Sequence, residues 1–201
     1  DPETPLEETI LAMEDLIRAG KVIYWGVSEW SAPMMVRANE LAKQLGARPI
    51  AVSQPRYNLL YRYPETLLFP TTAEEGIGNV IFSPLAHGML TGKYKPGEEP
   101  PKGSRAADDR QNLVIKAMYW NEENKQKGQE LVAIAKDFGV SPAELALAWC
   151  LKNPNVSSVI LGASRVEQLQ QNLKALDLTL TEDVLKRLET LYPQPEAIPQ
   201  I

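Results

Sequence analysis

Apolar residues along this 201-residue chain recur in alternating periods. Leu6, Ile10, Met13, Leu16 and Ile17 share one face at helical spacing, and Gly20 ends the stretch. Its start reads from Thr4 as cap, Pro5 as first helical residue and Glu7 as capping-box partner. Residues 21–27 are β-branched and aromatic with few polar positions, which predicts a strand buried on both faces. Ser31-Ala32-Pro33 opens a second helix running to Leu45 and closed by Gly46. A second strand is predicted over 49–53. A helical stretch interrupted by Pro70 and ended by Gly76-Ile77-Gly78 follows, then a third strand over 79–83. Helices at 122–138 and 142–152, a fourth strand at 156–161, and two helices opened by Ser164 and Thr181 complete the series.

Strands alternating with helices predict an α/β fold with parallel pairing. A complete barrel has eight strands and about 250 residues, so four strands imply a small open sheet or part of a barrel. Residues 1–201 read as a single domain. Within it, the stretch from Pro84 to Ala107 is rich in glycine, proline and charge, and too long for a simple connection. Loops of that length are either functional or solvated.

Composition narrows the function classes. Apolar residues make up 44% and charged residues 23%, with a net charge of -5 and no basic stripe, which argues against a nucleic-acid surface. No apolar run reaches the roughly 18 residues of a membrane span, and no secretory leader pattern opens the sequence. The one cysteine, Cys150, lies in an apolar helical run and reads as core in a reducing, cytoplasmic setting. One histidine, His87, and one cysteine are too few for the usual zinc sites or most histidine triads.

In parallel α/β folds ligands gather where strands end. The predicted strands lead into Ser28-Glu29-Trp30-Ser31, Ser53-Gln54, Ser83-Pro84-Leu85-Ala86-His87-Gly88 and Gly162-Ala163-Ser164-Arg165. Each end carries a hydroxyl or amide, a polar rim suited to a ligand with many hydrogen-bonding groups. Gly162, the amides after Ser164 and the Arg165 guanidinium in the first helical turn form a phosphate-site pattern; plain capping is the alternative. Lys93 and Arg105 are candidates for a second phosphate, or solvated charges. Phe82 either stacks on a flat ring or is core, His87 is an acid–base group without an evident partner or a loop residue, and Tyr57 is an acid or core.

The stretches "YWGVSEWS", "SQPRYNLL", "FSPLAHGMLTGKY" and "LALAWCLKNPNVSSVILGASRVEQLQQN" resemble, in order, those of the aldo-keto reductases. The resemblance is to the branch that includes the beta subunits of voltage-gated potassium channels and related bacterial reductases. It implies part of a (β/α)8 TIM barrel, about strands five to eight with surrounding and extra helices, with residues 84–120 as a long cofactor-covering loop. It also implies NADP(H). Ser28 and Gln54 would hold the nicotinamide carboxamide, Phe82 would stack on its ring, and Ser83, Leu85 and Ala86 would line the pyrophosphate path. Lys93 and Arg105 would reach the phosphates, Gly162, Ser164 and Arg165 the adenosine 2'-phosphate, and Gln168, Gln171 and Asn172 the adenine. Glu29 stands where Asn or Arg is common, and Gln171 where Glu is usual.

The family transfers hydride from NADPH to a carbonyl carbon while a tyrosine, tuned by lysine and aspartate, protonates the oxygen and a histidine orients the substrate. None of these four has a match here, and "DPETP" resembles the stretch just after that histidine. The expectation is a truncated reductase that retains NADP(H) binding, would take a carbonyl substrate if completed by an amino-terminal half, and lacks catalytic residues of its own. The alternative is a non-catalytic half-barrel module, nucleotide-binding or structural, associating with itself through exposed edges.

Overall fold

The computed structural model describes residues 3–196. Four strands, β1 (Gly26–Ser28), β2 (Val52–Gln54), β3 (Gly78–Ile81) and β4 (Val156–Val159), form one parallel sheet in the order β1-β2-β3-β4. The helices are α1 (Leu6–Arg18), α2 (Ala32–Leu45), α3 (Leu68–Glu74), α4 (Asn112–Met118), α5 (Glu122–Phe138), α6 (Pro142–Leu151), α7 (Val166–Leu173) and α8 (Glu182–Leu191). Four parallel strands in sequential order, interleaved with helices, are an arc consistent with part of a (β/α)8 barrel.

Side-chain alternation divides the sheet into two unlike faces. Val27, Ser53, Asn79 and Ile81 are buried beneath the helices, while Gly26, Ser28 and Gln54 on the other face are exposed. The expectation of a first strand buried on both faces is therefore corrected. Only residues 26–28 pair, and Ile23 and Tyr24, at 77% and 76% exposure, precede the ladder. On the uncovered face Val52 lies across Gly26, where a Cβ would come within 2.3 Å of the Val52 carbonyl oxygen and its Cγ1.

The helices begin and end largely where their caps dictate. Ser31 Oγ accepts from the Met34 amide, Pro33 occupies the first turn of α2, and Gly46 closes it with φ of 66°. Ser141 and Glu144 form a reciprocal capping box at α6, whose next six residues, from Leu145 to Cys150, are all buried. Burial pushes the Cys150 thiol pKa up, consistent with a core role. At α1 the start falls one residue later than expected, with Pro5 as the extended cap. Pro70 does not interrupt α3: it lies at the third position, where no intrahelical N–H is required. Inside the long loop the chain forms short 3-10 turns at Ala86–Thr91 and Arg105–Ala107 and then α4, so it is less irregular than its composition implies.

Two buried polar links join the layers. The Asn79 side-chain amide donates to Thr72 Oγ1 (2.7 Å) and to the Asn155 carbonyl (2.9 Å), tying α3 and the approach to β4 to the bulge between Asn79 and Val80. Arg62, 7% exposed, donates from Nε and Nη2 to the Glu65 carboxylate (3.0 and 2.7 Å) and from Nη1 to Glu189 (2.8 Å) and the Tyr192 carbonyl. Its guanidinium lies 5.2 Å from the centre of the Trp149 ring, and Tyr57 Oη donates to the same Glu65 at 2.6 Å. Tyr57 is thus a core residue, 1% exposed, with its pKa raised first by burial and then by Glu65. It is not an acid of the cleft.

Two stability outcomes follow from these contacts. Arg62→Leu leaves the partly buried Glu65 carboxylate without its cation and should cost about 3 kcal/mol in urea unfolding. Gly26→Ala forces the new methyl against Val52 and should cost about 2 kcal/mol in the same assay.

Candidate functional site

The ends of β3 and β4, the long loop and the start of α7 enclose an open cleft of about 1230 Å³. Ser83, Leu85, Lys93, Arg105, Gly162, Ser164, Gln168, Gln171 and Asn172 all line it, bringing together nine of the residues singled out in the sequence. Ser28 and Gln54 stand apart at the ends of β1 and β2, in register with one another, with Ser28 Oγ donating to the Gln54 carbonyl at 2.9 Å. Phe82 is half-buried outside the cleft lining, and its amide donates to the Pro55 carbonyl at 3.0 Å. Ala86 is fully buried beneath the cleft, and Arg165 is exposed beyond it.

The loop after β3 is held in an unusual backbone. Ser83, Ala86 and His87 take φ values of 55°, 47° and 56°, and Gly88 takes 96°. At Gly88 a Cβ would come within 2.8 Å of Lys93 Cε, so glycine here admits both the turn and the lysine stem. The Lys93 ammonium is pushed below its ordinary range, first by burial and then by the neighbouring Arg105. Among the described residues neither Lys93 nor Arg105 belongs to an ion pair. Asp108 and Glu167 also line the cleft, but with neither cation in such a pair the wall at Lys93 and Arg105 favours an anion.

His87, read from sequence as having no evident partner, has two. Its Nε2 lies 3.2 Å from Ser83 Oγ and its Nδ1 3.0 Å from Arg105 Nη1. Burial, Arg105 and Arg56 together hold its pKa below the ordinary imidazole value. Nothing in the order of residues signalled this contact, because eighteen positions separate the histidine from the arginine.

At α7 the structure revises the phosphate-site expectation. Arg165 is the residue before the helix, not part of its first turn. Gln168 Oε1 accepts from the Ser164 amide (2.9 Å), Ser164 Oγ (3.1 Å) and the Arg165 amide (3.2 Å). The Ser164 and Arg165 amides are thus already partnered within the chain. Over Gly162 the space is open, with nothing within 4 Å of a Cβ placed there.

The two unusual rim residues both have local tasks. Glu29 Oε1 accepts from the Arg56 amide at 2.7 Å, joining the end of β1 to the chain beyond β2. Gln171 faces Glu144 across α6 and α7. Burial opposes ionisation of Glu144, yet its contacts with Ser141 and then Gln171 hold the carboxyl below the usual range. Among the described residues no group of three or more His, Cys, Asp or Glu side chains is arranged to hold a metal ion. No described helix is long and apolar enough to cross a membrane.

Residues 1–193 match the Aldo/keto reductase family. A probable voltage-gated potassium channel subunit beta of Arabidopsis thaliana is 41% identical over 203 residues, covering 100% of this chain and 61% of that protein. The probable beta subunit of Oryza sativa subsp. japonica is 41% identical over 194 residues, covering 95% of this chain and 58% of that protein. A putative beta subunit of Schizosaccharomyces pombe is 40% identical over 196 residues, covering 95% and 56% respectively. The chain thus spans about three fifths of the length of these relatives. With strand-end motifs, parallel order and a match reaching residue 193 in agreement, the chain belongs to the aldo/keto reductase family, in the branch of the potassium channel beta subunits.

Proposed function

We propose that this chain is the cofactor-binding arc of an aldo/keto reductase barrel, strands five to eight, and that NADP(H) lies extended along its strand ends. The observation that carries the reading is the cleft wall formed by Lys93 and Arg105, two cations outside any ion pair among the described residues. It is continuous with a rim of hydroxyl and amide groups. The nicotinamide would sit toward Ser28, Gln54 and Phe82, and the pyrophosphate would pass Ser83 and Leu85 above the buried Ala86. The adenosine end would lie over the open backbone of Gly162, with Ser164, Gln168, Gln171 and Asn172 alongside and Arg165 reaching from the flank. When bound, the cofactor supplies hydride for reduction of a carbonyl substrate. The tyrosine, lysine, aspartate and histidine expected to act on that substrate have no counterpart among these 201 residues. Aldehyde and ketone reduction is therefore proposed for a barrel completed by further strands, and this arc contributes binding.

Titration with NADPH should quench the fluorescence of Trp30, half-buried beside the end of β1, saturably at micromolar concentrations. Arg105→Met and Lys93→Met should each weaken the affinity about tenfold, the worth of one charge-assisted hydrogen bond. No aldehyde-dependent NADPH oxidation should accompany binding. Absence of quenching up to millimolar NADPH would sink the reading.

A second reading concerns assembly and rests on a separate observation. Among the described residues the β1 edge is unpaired, the adjoining Ile23 and Tyr24 are exposed, and Gly26, Ser28 and Gln54 lie exposed on one face of the sheet. Open parallel edges beside apolar side chains favour self-association. Light scattering after size exclusion should give a mass above the 22.4 kDa of one chain, and a strictly monomeric peak at micromolar concentration would count against it.

A further inference from the structure

His87 lies between two groups that fix the role of each ring nitrogen. A guanidinium offers only donors and keeps its proton at any working pH. Arg105 Nη1, 3.0 Å from Nδ1, therefore requires Nδ1 to be the bare, accepting nitrogen. The hydrogen of the neutral ring is then on Nε2, 3.2 Å from Ser83 Oγ, which accepts it. A hydroxyl that accepts this bond still has its own hydrogen to donate. Ser83 Oγ has no further hydrogen-bond partner among the described residues, and Ser83, His87 and Arg105 all line the cleft.

We propose that His87 is a positioning residue of the cleft, relaying a one-way hydrogen-bond chain from Arg105 through its imidazole to Ser83, so that the Ser83 hydroxyl donates to an acceptor oxygen of the bound anionic ligand. This rests on the NADP(H) reading above and adds to it a residue that recognises by orientation, not by charge. The surroundings favour the neutral ring. Arg105 touches it, Arg56 adds positive potential, Lys93 packs against the adjacent Gly88, and the Tyr119 ring lies 6.0 Å away. The Asp108 carboxylate, on the same cleft wall, is turned toward the Arg110 amide and the Gln111 side chain. Protonation would remove the acceptor that Arg105 needs and place two cations in contact.

Because the chain has one histidine, 15N-histidine NMR reports on this ring alone. The expected signature is the Nε2–H tautomer with a pKa below the ordinary value of about 6.5, rising in Arg105→Met. A pKa at or above that value and unmoved by Arg105→Met would overturn the chain. NADPH titration at pH 7.5 then separates orientation from charge in three variants that each keep a side chain with a Cβ at position 87. His87→Gln, whose amide can both accept and donate, should bind within about threefold of the wild type. His87→Leu and His87→Lys should both lose about tenfold, although lysine adds a positive charge. Binding by His87→Lys equal to or tighter than the wild type would overturn the proposal. Circular dichroism melts confirm that each variant is folded. If the wild type does not bind NADPH, the cofactor reading fails together with the ligand-facing half of this proposal. The NMR titration then still decides the Arg105–His87–Ser83 chain.

Discussion

Parallel pairing in strictly sequential order is the constraint from which the rest of this molecule follows. Each connection must cross over, and right-handed crossovers along an unreversed order return on the same side of the sheet. The helices accordingly cover Val27, Ser53, Asn79 and Ile81 and leave Gly26, Ser28 and Gln54 bare. The same direction of travel collects every strand's carboxyl end on one rim, where hydroxyls and amides meet the long loop. Function is thus concentrated at one end of the sheet and packing on one side of it.

Helices were legible where their punctuation was chemical. Ser31 with Gly46, Ser141 with Glu144, and Thr181 each mark a boundary that the structure reproduces. Strand limits were not, because an apolar run reports affinity for burial and cannot say which residues find a partner strand. Residues 21–25 have the composition of a strand yet precede the ladder, leaving Ile23 and Tyr24 in solvent. α4 was hidden for the opposite reason: its seven residues follow a run of charge that reads as loop, and tertiary contact rather than propensity holds it.

The candidate site shows the same division. Its members near β3 and β4 were identifiable from ordered motifs, and the fold brings nine of them to one cleft. What was not legible is how they are partnered. The side chain of Gln168 satisfies the amides ahead of α7, and Glu29 holds the Arg56 amide. The buried Arg62 cluster joins residues more than a hundred positions apart, and one-dimensional spacing carries no trace of such a contact. Pairings across the fold decide which polar groups remain free for a ligand.

The turn at residues 83–88 has a consequence for how this chain can change over generations. Ser83, Ala86 and His87 all hold a left-handed backbone that costs an L-residue with a Cβ about 1–2 kcal/mol each, and glycine would relieve it. Random substitution that retained only foldedness would drift toward glycine at these positions, since that direction is downhill. Side chains kept there against the gradient mark the segment as one where selection and thermal stability pull in opposite directions. A lineage released from ligand binding would be expected to relax first at this turn, well before its hydrophobic core recorded any loss.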